Sequence, residues 1–285
     1  MFVKSNKLVD LLPYFKTKLA NIFSDREIET VFSWVCEDKY NLSKFELKHT
    51  DLRLSESELL AFRSIVKRLA NNEPIHYILG TTEFYNCKIK VNKNVLIPRP
   101  ETEELVDLVL KNVALADKVL DIGTGSGCIP IALKKANPSL ELFGIDISQK
   151  AIDLAAESAL LNKVTIQFRK IDILTNDLAQ FPLLDCIVSN PPYIIESDKK
   201  EMATNVLDFE PHLALFVADT EPLLFYERIA KLACHKLKSK GKLFFEIHES
   251  YSNETKTMLL DLGFTNVEIL KDLQGKNRMI FCLNS

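Results

Sequence analysis

From about residue 101 onward the chain alternates short apolar runs with helical segments, and this alternation constrains the fold more than any other feature. The runs at 118–122, 141–146, 164–169, 184–189, 241–247, 265–270 and 278–283 have the length and composition of strands. Segments 101–112, 127–136, 149–161 and 222–238 read as helices between them. Short apolar strands separated by helices require a parallel sheet covered on both faces, an α/β architecture. Only Lys271 to Asn277 separates the last two strands, which suits an antiparallel hairpin rather than a crossover.

Residues 1–75 read differently, as helices alone. Ser24-x-x-Glu27 and Ser55-x-x-Glu58 are capping boxes, each ahead of a helical stripe: Ile28, Val31, Phe32, Val35 and then Phe62, Ile65, Val66, Leu69. The single tryptophan, Trp34, is expected in that core. Residues 84–97 read as a β-hairpin turning at Asn92-Lys93-Asn94 and ended by Pro98-Arg99-Pro100. The expected organisation is a small helical domain at 1–75, a hairpin linker at 76–100 and a larger domain at 101–285.

A net charge of −3 gives no electrostatic footprint for duplex nucleic acid, so a protein or small-molecule partner is expected and a direct nucleic-acid substrate is not. The six cysteines form no C-x-x-C pair and read as buried, reduced thiols. None of the five histidines pairs with another ligand type at metal spacing, so no metal site is expected. No apolar run reaches the roughly 18 residues of a membrane span. Asp10 and Pro13 interrupt the N-terminal apolar residues, against a signal peptide, and the chain reads as cytosolic. Lys236, Lys238, Lys240 and Lys242 read as a solvated helix end.

Three of only eight glycines fall within Asp121-Ile122-Gly123-Thr124-Gly125-Ser126-Gly127, after the first strand and before a helix. Glycine there permits a tight turn and a close backbone approach to a ligand. The dinucleotide pattern would want glycine at 128, where Cys128 stands, and no Lys-Ser/Thr follows, so a pyrophosphate cofactor is disfavoured. The second strand ends in Asp146, whose carboxylate can accept both hydroxyls of a ribose. At the end of the third, Asp172 can meet an exocyclic amine and Ile173 can cover a purine. An adenosine without phosphates beside a reactive group suggests S-adenosylmethionine; a purely structural loop is the rival.

The fourth strand ends in Asn190-Pro191-Pro192-Tyr193. The prolines lack N–H donors and fix φ, which stops a sheet ladder. They hold the Asn190 side chain and nearby carbonyls in a stiff, acceptor-rich bracket, with Tyr193 as a flat wall. Such a bracket suits a planar –NH2 group, whether amide or adenine.

The glycine loop followed by Asn-Pro-Pro-Tyr resembles class I S-adenosylmethionine-dependent methyltransferases acting on amide or exocyclic amino nitrogens. Four further segments resemble the protein-(glutamine-N5) methyltransferases of peptide chain release factors, the PrmC/HemK family: Glu73 to Gly80, Leu96 to Glu103, Phe209 to Leu215 and Asp272 to Arg278. The resemblance covers about 73–285 and implies a Rossmann-like seven-stranded domain with a small helical substrate-recognition domain. It implies that Gly123, Thr124, Gly125, Ser126, Gly127, Asp146 and Asn190 contact S-adenosylmethionine, with Asp172 or Ile173 at the adenine. It further implies that Asn190, Pro191, Pro192 and Tyr193 hold the substrate glutamine, in the Gly-Gly-Gln tip of a release factor, with Asn190, Pro191 and Tyr193 serving catalysis. Two departures stand out: Glu246-Ile247-His248-Glu249 where the family often has Gly after Glu-Ile, and Thr220-Glu221-Pro222-Leu223 where it tends to have Asp-Gly-Leu. Rival readings are a glutamine methyltransferase of a ribosomal protein, an N6-adenine nucleic-acid methyltransferase presenting the bracket to a flipped base, and a catalytically idle binding module.

Overall fold

The computed structural model describes residues 5–285; the first four residues of the expected helical segment lie outside it. It divides into two units, one running to Gly80 and including Ala203–Phe209, the other comprising Thr81–Met202 and Glu210–Ser285.

The first unit holds α1 (Leu12–Leu19), α2 (Asp25–Tyr40), α3 (Lys44–His49), α4 (Glu56–Ala70) and α5 (Ile75–Leu79). Helices α2 and α4 begin at the two expected capping boxes, and α3 begins at a third, Ser43 with Glu46. Both apolar stripes are buried, and Phe15, Phe32 and Phe62 meet edge-on or tilted at 5.1–6.3 Å. Fully burying each such ring contributes about 1.5–3 kcal/mol. Trp34 departs from expectation: it is 40% exposed and lies against the His76 ring at 5.2 Å. At 100° per residue it falls about 110° from the centre of the α2 stripe, outside the buried sector.

The second unit opens with a hairpin, β1 (Thr81–Phe84) and β2 (Cys87–Lys90), which turns at Tyr85-Asn86 and not at Asn92–Asn94. Both turn residues have positive φ (47° and 58°), as a type I′ turn requires; Tyr85 carries no turn signal, which hid the register. Then follow α6 (Pro100–Asn112), β3 (Lys118–Ile122), α7 (Cys128–Ala136), β4 (Glu141–Asp146), α8 (Gln149–Leu161), β5 (Gln167–Lys170) and β6 (Leu184–Ser189). After these come β7 (Ile194–Ile195), α9 (Thr204–Phe209, grouped with the helical unit), β8 (Phe216–Val217), α10 (Leu224–Lys236), β9 (Leu237–Glu246), α11 (Ser252–Asp261), β10 (Thr265–Lys271) and β11 (Asn277–Leu283).

Seven strands form one sheet in the order β10-β11-β9-β6-β3-β4-β5, the first five in chain order parallel and β11 antiparallel to both its neighbours. The inner strand β3, between β6 and β4, is buried along Val119–Ile122, because helices cover both faces. The sheet winds outward from β3 to β5 and then returns to β6 on the other side, so β3 and β6 flank the topological switch point. Open α/β sheets bind ligands beyond the carboxyl ends of strands at such a point. Several boundaries differ from the sequence reading, and two of them matter here. The lysine run straddles the end of α10 and the start of β9, where Lys238 pairs with Asp185 at 2.6 Å. Strand β5 ends at Lys170, which leaves Asp172 and Ile173 in the loop after it. Five of the six cysteines are buried and all are free thiols.

Candidate active site

A cavity of about 350 Å³ opens beyond the carboxyl ends of β3, β4 and β6. Its wall includes Gly123, Thr124, Gly125 and Ser126 of the glycine loop, Asp146, Asp172, Ile173, and Asn190, Pro191 and Pro192. The sequence-derived residues therefore converge, apart from Gly127 and Tyr193, which are not among the residues that line it.

The loop is wired to the next strand. Gly123 and Thr124 both donate to the Ile145 carbonyl at 2.9 Å, and Gly125 N–H donates to Asp146 Oδ2 at 2.9 Å. Gly125 has φ 53°, and no neighbouring atom crowds the side of the loop where a Cβ would stand, which leaves a backbone cradle open to a ligand. Gly127 serves packing instead: a Cβ there would meet Ala155 Cβ at 3.0 Å and Phe168 at 3.2 Å. Cys128, the residue that breaks the dinucleotide pattern, starts α7, and burial pushes its thiol up to about 12.

Asp146 accepts from Gly125 with one oxygen and from Ser148 N–H at 2.8 Å with the other. Burial raises its carboxyl, and these N–H donors oppose the rise. Each oxygen keeps a lone pair for a hydroxyl. Asp172 uses Oδ1 to accept Leu174 N–H at 2.9 Å, while Ile173 is buried.

Beneath the loop lies a residue that the sequence reading passed over. Asp121 is 1% exposed, and among the described residues neither of its carboxylate oxygens nor the Thr124 hydroxyl has a hydrogen-bond partner. Burial pushes its carboxyl up to about 7, and the nearby Asp146 charge adds to the rise. Orphaned buried acceptors beside an open backbone cradle fit a ligand that brings positive charge and hydrogen-bond donors.

On the other wall, Asn190 Nδ2 donates to Thr102 Oγ1 at 3.2 Å. The Thr102 hydroxyl donates to Glu246 Oε2 at 2.7 Å, and the Tyr193 hydroxyl donates to Glu246 Oε1 at 3.1 Å. Tyr193 thus turns its hydroxyl towards β9, and its ring packs edge-on against His248 at 5.9 Å. His248, the departure from glycine, covers Tyr193 and accepts Ser250 N–H with Nδ1 at 3.2 Å. Arg99 lines the cavity and is held by Glu210 at 2.7 Å, which also accepts Ile97 N–H. Glu103, in the first turn of α6, accepts Tyr85 N–H at 2.8 Å and holds the hairpin turn. Thr102 and Glu246 were invisible as site residues, although Glu246 carried the signal that singled out Asp146, a carboxylate ending an apolar strand.

The family description "PrmC N-terminal domain" matches residues 26–80, and "Methyltransferase small domain" matches residues 101–209. A release factor glutamine methyltransferase of Flavobacterium psychrophilum is 45% identical over 273 residues, covering 93% of this chain and 95% of its own. One from Bacteroides thetaiotaomicron is 40% identical, covering 94% and 96%. A solved methyltransferase of Pyrococcus furiosus is 13% identical with a TM-score of 0.52, covering 92% of this chain and all of that one, and shows the shared fold.

Proposed function

The chain belongs to the release factor glutamine methyltransferase family, and we propose that it methylates the N5 amide nitrogen of the Gly-Gly-Gln glutamine of a peptide chain release factor. It is an S-adenosylmethionine-dependent protein-glutamine methyltransferase. The observation that carries the reading is the presence of Asn190 and Pro191 on the wall of the same cavity as the glycine loop.

The cavity residues fit the cofactor. The loop backbone and the Asp146 lone pairs suit the sugar and Ile173 offers an apolar face for the base; Asp121, buried behind the lining next to Ile122, offers orphaned acceptors on the side where an ammonium would sit. S-adenosylmethionine, when bound, supplies a methyl group on a sulfonium, whose departure needs no acid.

A neutral amide nitrogen is a weak nucleophile because its lone pair is delocalised into the carbonyl. Asn190 Oδ1 and the Pro191 carbonyl each accept one N–H of the glutamine amide. Their negative ends stabilise the positive charge that grows on nitrogen as it attacks. Holding the amide in line supplies most of the remaining rate. No strong base is needed, since the proton leaves after transfer.

Incubation of the protein with labelled S-adenosylmethionine and separate pools of release factor, ribosomal protein and nucleic acid tests the reading. The label is expected on the Gly-Gly-Gln glutamine, located by mass mapping, and absent from a release factor with that glutamine replaced by alanine. Label on ribosomal protein or nucleic acid, with release factor unmodified, would overturn it. Asn190→Ala is expected to lower turnover about 10²–10³-fold, the usual cost of one preorganised dipole at the reacting centre, while leaving the fold intact by circular dichroism. Near-normal turnover would remove Asn190 from the mechanism.

A further inference from the structure

We propose that Glu246 is a positioning residue: through the Thr102 hydroxyl it dictates which atom of the Asn190 amide is presented to the substrate. This rests on the reading of Asn190 as the acceptor for the glutamine –NH2.

The argument follows the protons. An ionised carboxylate only accepts, so the single hydroxyl proton of Thr102 is committed to Glu246 Oε2 at 2.7 Å, a length typical of a charge-assisted bond. Thr102 Oγ1 then has only lone pairs left for Asn190, and the Asn190 end that meets it must be the donor, Nδ2, at 3.2 Å. The reversed amide would set Oδ1 against an oxygen lone pair. With Nδ2 so engaged, Oδ1 is the end of the amide left for a ligand, and it forms no hydrogen bond among the described residues. Amide oxygen and nitrogen are otherwise nearly isosteric, so without this relay either could face the reacting nitrogen. An Nδ2 group there would repel the substrate N–H groups it is meant to accept.

The relay needs Glu246 Oε2 to act as an acceptor; burial works against its ionisation, and its partners offset that only in part. Its side chain is buried, which raises its carboxyl, while the Thr102 and Tyr193 hydroxyls and the Arg278 charge oppose the rise and the Glu101 charge adds to it. The Tyr226 hydroxyl pins the Glu246 carbonyl at 3.1 Å. Arg278 is itself held by Asp272, whose side chain is buried and accepts Arg278 Nε at 3.3 Å and the N–H groups of Gln274 and Lys276. The Asp272–Arg278 turn, a motif without an assigned role, thereby becomes the charge support of the relay. One carboxylate grips both ends of the bracket: Asn190 through Thr102, and Tyr193 directly.

The test uses the full chain with release factor and compares Thr102→Val, Thr102→Ser and Glu246→Gln. A glutamine at 246 can donate to Thr102 and free its proton to hold Asn190 Oδ1, which reverses the amide. Glu246→Gln and Thr102→Val are expected to lower kcat about 10–100-fold, with the KM for S-adenosylmethionine moving less than about threefold; Thr102→Ser, which keeps the hydroxyl, restores kcat to within about threefold of the parent. Equal impairment of the serine and valine variants would overturn the proposal, as would a folded Glu246→Gln with parental kcat. Should Glu246→Gln fail to fold, the valine–serine pair decides alone. The parent enzyme separates the two readings: its failure to methylate release factor defeats the proposed function, whereas parental methylation by Glu246→Gln defeats only the relay.

Discussion

Asp121 is a residue whose energetics and proposed role pull in opposite directions. In the free protein its carboxylate is buried without a partner, and its carboxyl is pushed up to about 7 from an unfolded value near 3.9. A raised folded value means that the group's contribution to stability is fully present below about pH 4 and is lost as pH rises through about 7. Asp121→Asn removes that loss. Denaturant unfolding of the free protein should therefore show the variant more stable than the parent at pH 8, by on the order of 1–3 kcal/mol, with the gap closing towards pH 4. The same variant should bind S-adenosylhomocysteine more weakly by titration calorimetry at pH 8, because its neutral amide cannot answer an ammonium. Tight binding with unchanged stability would show that the carboxylate is neither costly nor used. Asp146 and Asn190 were legible because each stands at a strand end in a pattern with known chemistry. Thr102, Glu246 and Asp121 were not, since their importance comes from partners 53 to 144 residues away, or from having none.

Strands and helices were legible where a single face decides burial, and least so where a turn departs from its usual residues. The parallel strands β3, β4 and β6 match their apolar runs residue for residue, because helices bury both their faces. The Tyr85-Asn86 turn was hidden because its positive φ values are sustained by side-chain bonds, Tyr85 N–H to Glu103 and the Tyr85 hydroxyl to Asp107 at 2.5 Å, and not by glycine. Within the glycine loop, spacing alone could not say which glycine faces a ligand and which packs. The structure separates them: a Cβ at Gly123 meets nothing, whereas one at Gly127 strikes Ala155 and Phe168. Both have positive φ, so each alanine variant carries about 1–2 kcal/mol of backbone strain. Gly127→Ala should lose a further ~1–3 kcal/mol to overpacking between α7 and α8, seen as a lower midpoint in urea than for Gly123→Ala. Equal midpoints would mean that α8 yields without cost.

The two units carry separate hydrophobic cores, and every residue lining the cavity belongs to the second. That assignment follows from topology. The sheet's winding reverses between β3 and β6, and the carboxyl ends of those two strands carry the glycine loop and Asn190. Cofactor binding should then be separable from the integrity of the helical unit, whose core turns on Phe15, Phe32 and Phe62. Phe62→Ala deletes a fully buried ring and is expected to cost about 3–5 kcal/mol, a large share of the 5–15 kcal/mol that stabilises a typical domain. Calorimetry should show an earlier unfolding step in this variant, while S-adenosylhomocysteine still binds with the parental constant at temperatures below that step. Release-factor methylation should fall nonetheless if the helical unit recognises the protein substrate, and the loss should appear in the KM for release factor before it appears in kcat. A Phe62→Ala protein that loses S-adenosylhomocysteine binding in parallel with its helical unit would show instead that the cavity of the second unit is held in shape by the first.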